Sequence, residues 1–231
     1  MLDALPPVPA AYRGLWERTL LERYGTGTLT DDRPARVFWL QTERWHADLR
    51  IPLQRPNFAG VTDLADCSDE QLGFLAGQEG FCGLTRVEGR VCTWARLFDL
   101  RPGSMLDAAR MDPREGLLIE HGIAEAYREE WTLVAGSRGD GLASTAVRSA
   151  DGALVLTAGD WRVVVTPRSA APAGIDPYQP IAQCDRAALL WRAGLALTLC
   201  HRVDGGWRAE HATHPWLEGR SMPDAAMLPC G

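Results

Sequence analysis

One short segment, RVFWLQTERWHADLRIP at 36–52, concentrates side chains that could recognise a polar molecule. A two-residue turn at Glu43-Arg44 would pair Leu40 with Ala47 and Phe38 with Leu49 across an antiparallel hairpin. Side chains alternate along a strand, so Phe38, Leu40, Ala47, Leu49 and Ile51 form one apolar face. The other face carries Val37, Trp39, Gln41, His46, Asp48 and Arg50. Arginine presents a planar fork suited to carboxylate or phosphate, an aspartate two residues away can orient it, and an indole supplies an apolar wall. Trp39, Gln41, His46, Asp48 and Arg50 are therefore the candidate ligand-binding set, with Arg50 as anchor for a polar or anionic small molecule. The competing reading of the same face is a solvent-facing ladder of cross-strand charge pairs.

Two further groups invite attention. A three-residue loop at Asp204-Gly205-Gly206 would pair Leu199 with His211 and His201 with Ala209. His201 and His211 would then share a face near His214, a set that could ligate a metal or haem iron. His211 and His214 are three apart and do not share a strand face, so no metal site is assigned and these histidines stand only as an alternative. Glu120-His121, followed by Tyr127, Glu129 and Glu130, forms a polar cluster expected at the junction of two units. A carboxylate and an imidazole can do acid–base work, but neighbours on one strand point to opposite faces. No nucleophile elbow, phosphate-binding loop, zinc-protease helix or dinucleotide fingerprint is present, so no catalytic residue is assigned and no cofactor is expected.

The elements that must position these residues read as short strands between turn residues, with apolar and polar positions interleaved at period two. Strands are expected at 15–22, 36–42, 46–52, 81–87, 91–98, 116–122 and 126–134, and again at 144–149, 153–158, 161–167, 195–203 and 207–213. Two helices interrupt them. Ser68 and Gln71 form a capping box before DEQLGFLAG, and Asp185 caps RAALLWRAG. Landmarks recur at a nearly fixed offset: Trp16 and Trp131, Trp45 and Trp161, Pro52 and Pro167, Arg86 and Arg202, Gly89 and Gly205. The period exceeds that of solenoid repeats, so the repeated unit is a small domain. The division expected is 1–115 and 116–231. Closing each antiparallel set into a barrel would remove its edges.

VFWLQTERWHADLRIP (37–52), EGFCGLTRV (79–87), YREEW (127–131) and HATHPWLEG (211–219) resemble signatures of the Hri family, fungal and bacterial proteins built of two lipocalin-like barrels. The resemblance covers about 14–219 and implies an all-β chain of tandem, duplicated, calycin-type barrels, each with a short helix. It brings no established catalytic residues.

Composition fits a globular protein of 231 residues with 46% apolar and 23% charged residues. Net charge of −6 and a pI near 5.4 argue against nucleic acid or an anionic membrane as partner. No basic leader precedes an apolar run, and no C-x-x-C pair occurs. A cytoplasmic protein with free, buried thiols is the expectation. The function expected is non-enzymatic binding of a small molecule or a protein partner. The alternatives are an enzyme with its site at the first barrel's mouth, and haem or metal binding through His201, His211 and His214.

Overall fold

A computed structural model describes residues 6–24, 34–103, 107–139, 144–149, 152–222 and 227–228. Eight antiparallel strands form a closed barrel in sequence order. They are β1 (Gly14–Arg23), β2 (Ala35–Gln41), β3 (Trp45–Pro52), β4 (Gly80–Glu88), β5 (Val91–Asp99), β6 (Asp107–Arg114), β7 (Leu117–Gly122) and β8 (Tyr127–Leu133). β8 pairs with β1 and closes the sheet. A seven-stranded sheet follows, ordered β14-β13-β12-β11-β10-β9-β15. Its strands are β9 (Ser144–Ser149), β10 (Leu154–Ala158), β11 (Trp161–Thr166), β12 (Ala196–Val203), β13 (Gly206–Ala212), β14 (Ser221–Met222) and β15 (Met227–Leu228). Among the described residues this second sheet is not a closed barrel, where two barrels were expected.

Strands at 117–133, placed by the repeat in the second unit, thus complete the first sheet. β1 needs a second partner, and β8 supplies it from Trp16↔Leu133 to Arg23↔Tyr127. Trp16 and Trp131, read as equivalent positions of two units, lie on these adjacent strands of one barrel. Element order nevertheless agrees between the sheets. The β2–β3 hairpin, a helix α1 (Asp69–Ala76) and the β4–β5 hairpin are matched by β10–β11, α2 (Arg186–Ala193) and β12–β13. Both helix starts form as their sequences require. Ser68 Oγ accepts from the Gln71 amide while Gln71 Oε1 accepts from the Ser68 amide, and Asp185 accepts from the Ala188 amide at 2.8 Å. α1 and α2 pack on each other through Leu72, Leu75, Leu189 and Ala193.

The hairpin register of β2 and β3 is the one the spacing requires, with Leu40 opposite Ala47 and Phe38 opposite Leu49. Phe38, Leu40, Ala47, Leu49 and Ile51 point outward from the barrel. They are buried there because Leu154, Leu156, Val163, Val165, Leu197 and Leu199 of the second sheet pack against them. The apolar face of the hairpin is therefore the seam between the two sheets. Its polar face points into the barrel. Cys67, Cys82, Cys92 and Cys200 are buried free thiols and Cys184 is half-buried, whereas Cys230 lies outside the described residues. Among the described residues, no helix is long and apolar enough to cross a membrane.

A candidate binding site in the barrel lumen

Period-two alternation sends one residue in two of every barrel strand inward. At the end carrying the β2–β3 turn, the lumen is filled. Val8, Tyr12, Trp16, Cys92, Ala109, Met111 and Leu118 form a continuous apolar cluster. The segment before β1 lies across this end, with the Val8 amide donating to the Glu43 carbonyl at 2.7 Å and the Trp16 indole to the Tyr12 carbonyl at 2.8 Å. Toward the other end the filling stops, and a cavity of about 400 Å³ remains. That volume lies within the usual range for small-molecule sites.

Trp39, Trp94 and Trp131 stand at the cavity wall. Trp39 meets Trp94 edge-on at 6.0 Å and Trp131 at 6.3 Å between ring centroids. Above them the lining is ionic. Arg18 binds Glu129 at 2.6 Å, Arg50 binds Asp48 at 2.8 Å, and Arg96 binds Asp107 at 2.6 Å while lying over the Phe81 ring at 3.8 Å. Arg50 also reaches Glu79 at 3.1 Å. Four arginines and six acidic side chains line the cavity, so the lining carries an acidic excess.

Glu120 differs from the other acids. It is 6% exposed and, among the described residues, bound only by neutral donors, the Tyr127 hydroxyl at 2.7 Å and the Trp131 indole N–H at 3.0 Å. Burial, and then the charge of Glu129 opposite it on β8, push its pKa up to about 8. Burial also raises Glu129, with Arg18 and Arg50 opposing the shift. Gly122 makes the Tyr127 contact possible. A Cβ there would come within 2.4 Å of the Tyr127 ring.

All five residues of the proposed set face inward, but they divide into two groups. Trp39, Asp48 and Arg50 line the cavity. Gln41 and His46 sit nearer the Glu43-Arg44 turn in a buried hydrogen-bond chain and do not line it. The chain fixes a tautomer. Gln41 Nε2 donates to the Thr42 and Trp45 carbonyls, so its Oε1 faces Thr85 and accepts the hydroxyl proton at 2.7 Å. The Thr85 oxygen is then an acceptor for His46 Nδ1–H at 3.0 Å. His46 Nε2 keeps its lone pair and has no partner among the described residues. Burial, reinforced by Arg96, holds the His46 pKa down at about 3, so the ring is neutral.

The three later histidines have separate surroundings. His201 stacks on Trp161 at 4.3 Å. His211 stacks on Phe38 at 5.1 Å and meets Arg36 at 2.9 Å. His214 is buried and binds the Ala193 carbonyl at 2.7 Å. The expected pair Leu199–His211 is present, but His201 lies opposite Arg208 rather than Ala209. A two-residue loop, Asp204-Gly205, and a register shift after Leu199 account for the difference. Among the described residues, no group of three His, Cys, Asp or Glu side chains is placed to hold a metal ion. Glu120, Tyr127 and Glu129 of that cluster face the barrel interior rather than a junction between units, whereas Glu130 pairs with Arg128 away from the cavity and His121 is exposed.

Trp39, Asp48 and Arg50 are legible in the sequence as one face of the β2–β3 hairpin, whereas Glu120, Tyr127 and Glu129 read there as a separate cluster. Trp94 and Arg18 line the cavity without any motif in the sequence that marks them. The available signal was alternation: Trp94–Arg96 on β5 and Tyr127–Glu129–Trp131 on β8 each place a polar or aromatic side chain on the face shared with a core residue. Comparison with family models, curated proteins and solved structures finds no match for this chain.

Proposed function

We propose that the barrel is a binding protein that encloses one small polar molecule in its lumen. The observation that carries this reading is the cavity of about 400 Å³ walled by three indoles and lined by ion pairs, of which Arg18–Glu129 is buried and Arg50–Asp48 partly so. Burying charged groups costs several kcal/mol each unless they are paired, and apolar side chains fill a barrel at lower cost. A lumen that is apolar and packed at one end but charged and open at the other is arranged for a polar occupant. Arg50, the anchor expected from sequence, already has two carboxylate partners. Its role is then to hold Asp48 and frame the mouth rather than to seize an anion.

The shared order of strands and helices supports reading the second sheet as a diverged copy of the lipocalin-like barrel, as the Hri resemblance implies. In that copy the packing faces are largely apolar, which suits a supporting rather than a binding role.

The test is a thermal-shift and tryptophan-fluorescence screen of small polar metabolites against the wild-type protein and against Leu21→Trp, which adds bulk on the inward face of β1 opposite Glu129. Compounds that raise Tm in the first and not in the second support lumen binding. Compounds that act equally on both, or a screen with none that act, refute it.

A further inference from the structure

We propose that the molecule held in the lumen is a small organic cation that also bears a hydrogen-bond acceptor, seated beside Trp39, Trp94 and Trp131 with Glu120 as its counter-ion. The inference rests on the lumen-binding reading above and names the ligand class.

The charge pairing of the lining leads to it. Glu129, Asp48 and Asp107 each have an arginine within 2.8 Å. Asp99 and Glu125 lie 3.4 Å from Arg96 and Arg23. Glu120 is the one acid of the lining with no guanidinium partner among the described residues, and it is buried against the Trp131 indole and the Tyr127 phenol. A cation is therefore the missing component, and indole walls favour one through the ring quadrupole, most of all where water is excluded. An anion lacks an equivalent opening, because each arginine of the lining already faces a carboxylate.

A second observation is independent of charge. The Trp39 indole N–H and Arg18 Nε–H are buried at the lining without a hydrogen-bond partner among the described residues. Unspent buried donors are costly, and an acceptor on the ligand would satisfy one. Cation and acceptor together describe an amino alcohol, an ammonium alcohol or a zwitterion.

Binding would be linked to one proton. Free, the lumen keeps Glu120 as the neutral acid: burial and then Glu129 of β8 favour that form, Asp107 of β6 adds to them, Cys92 of β5 also faces it, the Tyr127 and Trp131 hydrogen bonds oppose the shift, and the nearby Arg18, Arg50 and Arg96 are each already paired. When a cation arrives, the Glu120 carboxyl O–H bond breaks, the proton passes to solvent, and the carboxylate pairs with the ligand.

Titration calorimetry with choline, ethanolamine, the carbon isostere of choline and the carboxylate of the same shape tests this. In wild type at neutral pH, a cationic probe should bind about tenfold or more tightly than the neutral isostere and the anion. Runs in buffers of different ionisation enthalpy should show close to one proton released, and affinity should rise with pH toward about 8. Choline against ethanolamine separates quaternary from primary ammonium recognition. Glu120→Gln should remove both the cation preference and the proton release. Trp39→Phe, which keeps an aromatic ring and loses the N–H, should weaken choline and leave tetramethylammonium, a cation with no acceptor, unchanged. Equal or better binding of the neutral or anionic probe in wild type would overturn the cation assignment while leaving lumen binding intact. Binding of no probe of any charge, judged together with an empty metabolite screen, would overturn both.

Discussion

Arg18 and Glu129 meet at 2.6 Å across the seam where β1 and β8 close the barrel, with side chains only 7% and 11% exposed. The pair ties the first strand to the last at the rim of the cavity. A buried ion pair is costly to assemble but far more costly to halve, because the remaining charge loses its partner without regaining water.

Glu129→Gln or Arg18→Met should therefore destabilise the protein by about 3–5 kcal/mol. The double variant should cost less than the sum of the two, giving a coupling that urea unfolding can measure. Additive effects would mean that the pair does not act as a unit.

Leu49, Leu197 and Leu199 are fully buried at the seam between the barrel and the second sheet. Leu→Ala at any of them should cost about 2–5 kcal/mol through lost burial and the cavity left behind. Because the seam belongs to both sheets, denaturation followed by tryptophan fluorescence and by circular dichroism should shift together. Separate transitions would show that the sheets unfold independently.

The residues of this seam were legible because alternation in β2 and β3 is strict and the turn length fixes the register. The inward direction of the polar face was not, since a strand's pattern separates its faces without saying which one the rest of the chain will cover. β6 escaped notice because Asp107–Arg114 contains Pro113. The Met111 amide donates to the Arg90 carbonyl, so the nitrogen of residue 113 points the same way, past the end of β5, where a proline breaks no ladder bond. The register at His201 was lost to a bulge, which composition does not announce. Trp16 and Trp131, equivalent in the expected repeat, lie on the adjacent strands β1 and β8 of one barrel, opposite Leu133 and Arg18.

Glu120 gives the free protein a distinctive pH dependence. Its pKa is raised from the usual 4.5 to about 8, so between those values the folded chain holds a proton that the unfolded chain gives up. Its contribution is fully present below about 4.5 and is lost as pH rises through about 8. Glu120→Gln removes the titration while keeping an acceptor for the Trp131 N–H. The variant should gain about 1–3 kcal/mol relative to wild type between pH 6 and 9, seen as a flatter Tm-against-pH curve. A wild-type curve parallel to that of the variant would place the Glu120 titration elsewhere.

His46 works in the opposite direction and needs no ligand to reveal it. Its ring is fully buried, donates Nδ1–H to Thr85 and leaves Nε2 bare, and its pKa falls from the usual 6.5 to about 3. Unfolding would let it take up a proton anywhere in that window, so its contribution is present above 6.5 and is lost as pH falls toward 3. Nitrogen NMR of the folded protein should show the Nδ1–H tautomer unchanged from pH 7 to pH 5, with no imidazolium signal. Thr85→Val removes the oxygen that accepts this proton and the hydroxyl that satisfies Gln41, leaving two buried polar groups short of partners. The expected cost is about 2–4 kcal/mol, greater than for a surface threonine. A His46 that titrates near 6.5 in the folded state would mean that water reaches the ring and that the lumen is wet down to the Glu43-Arg44 turn.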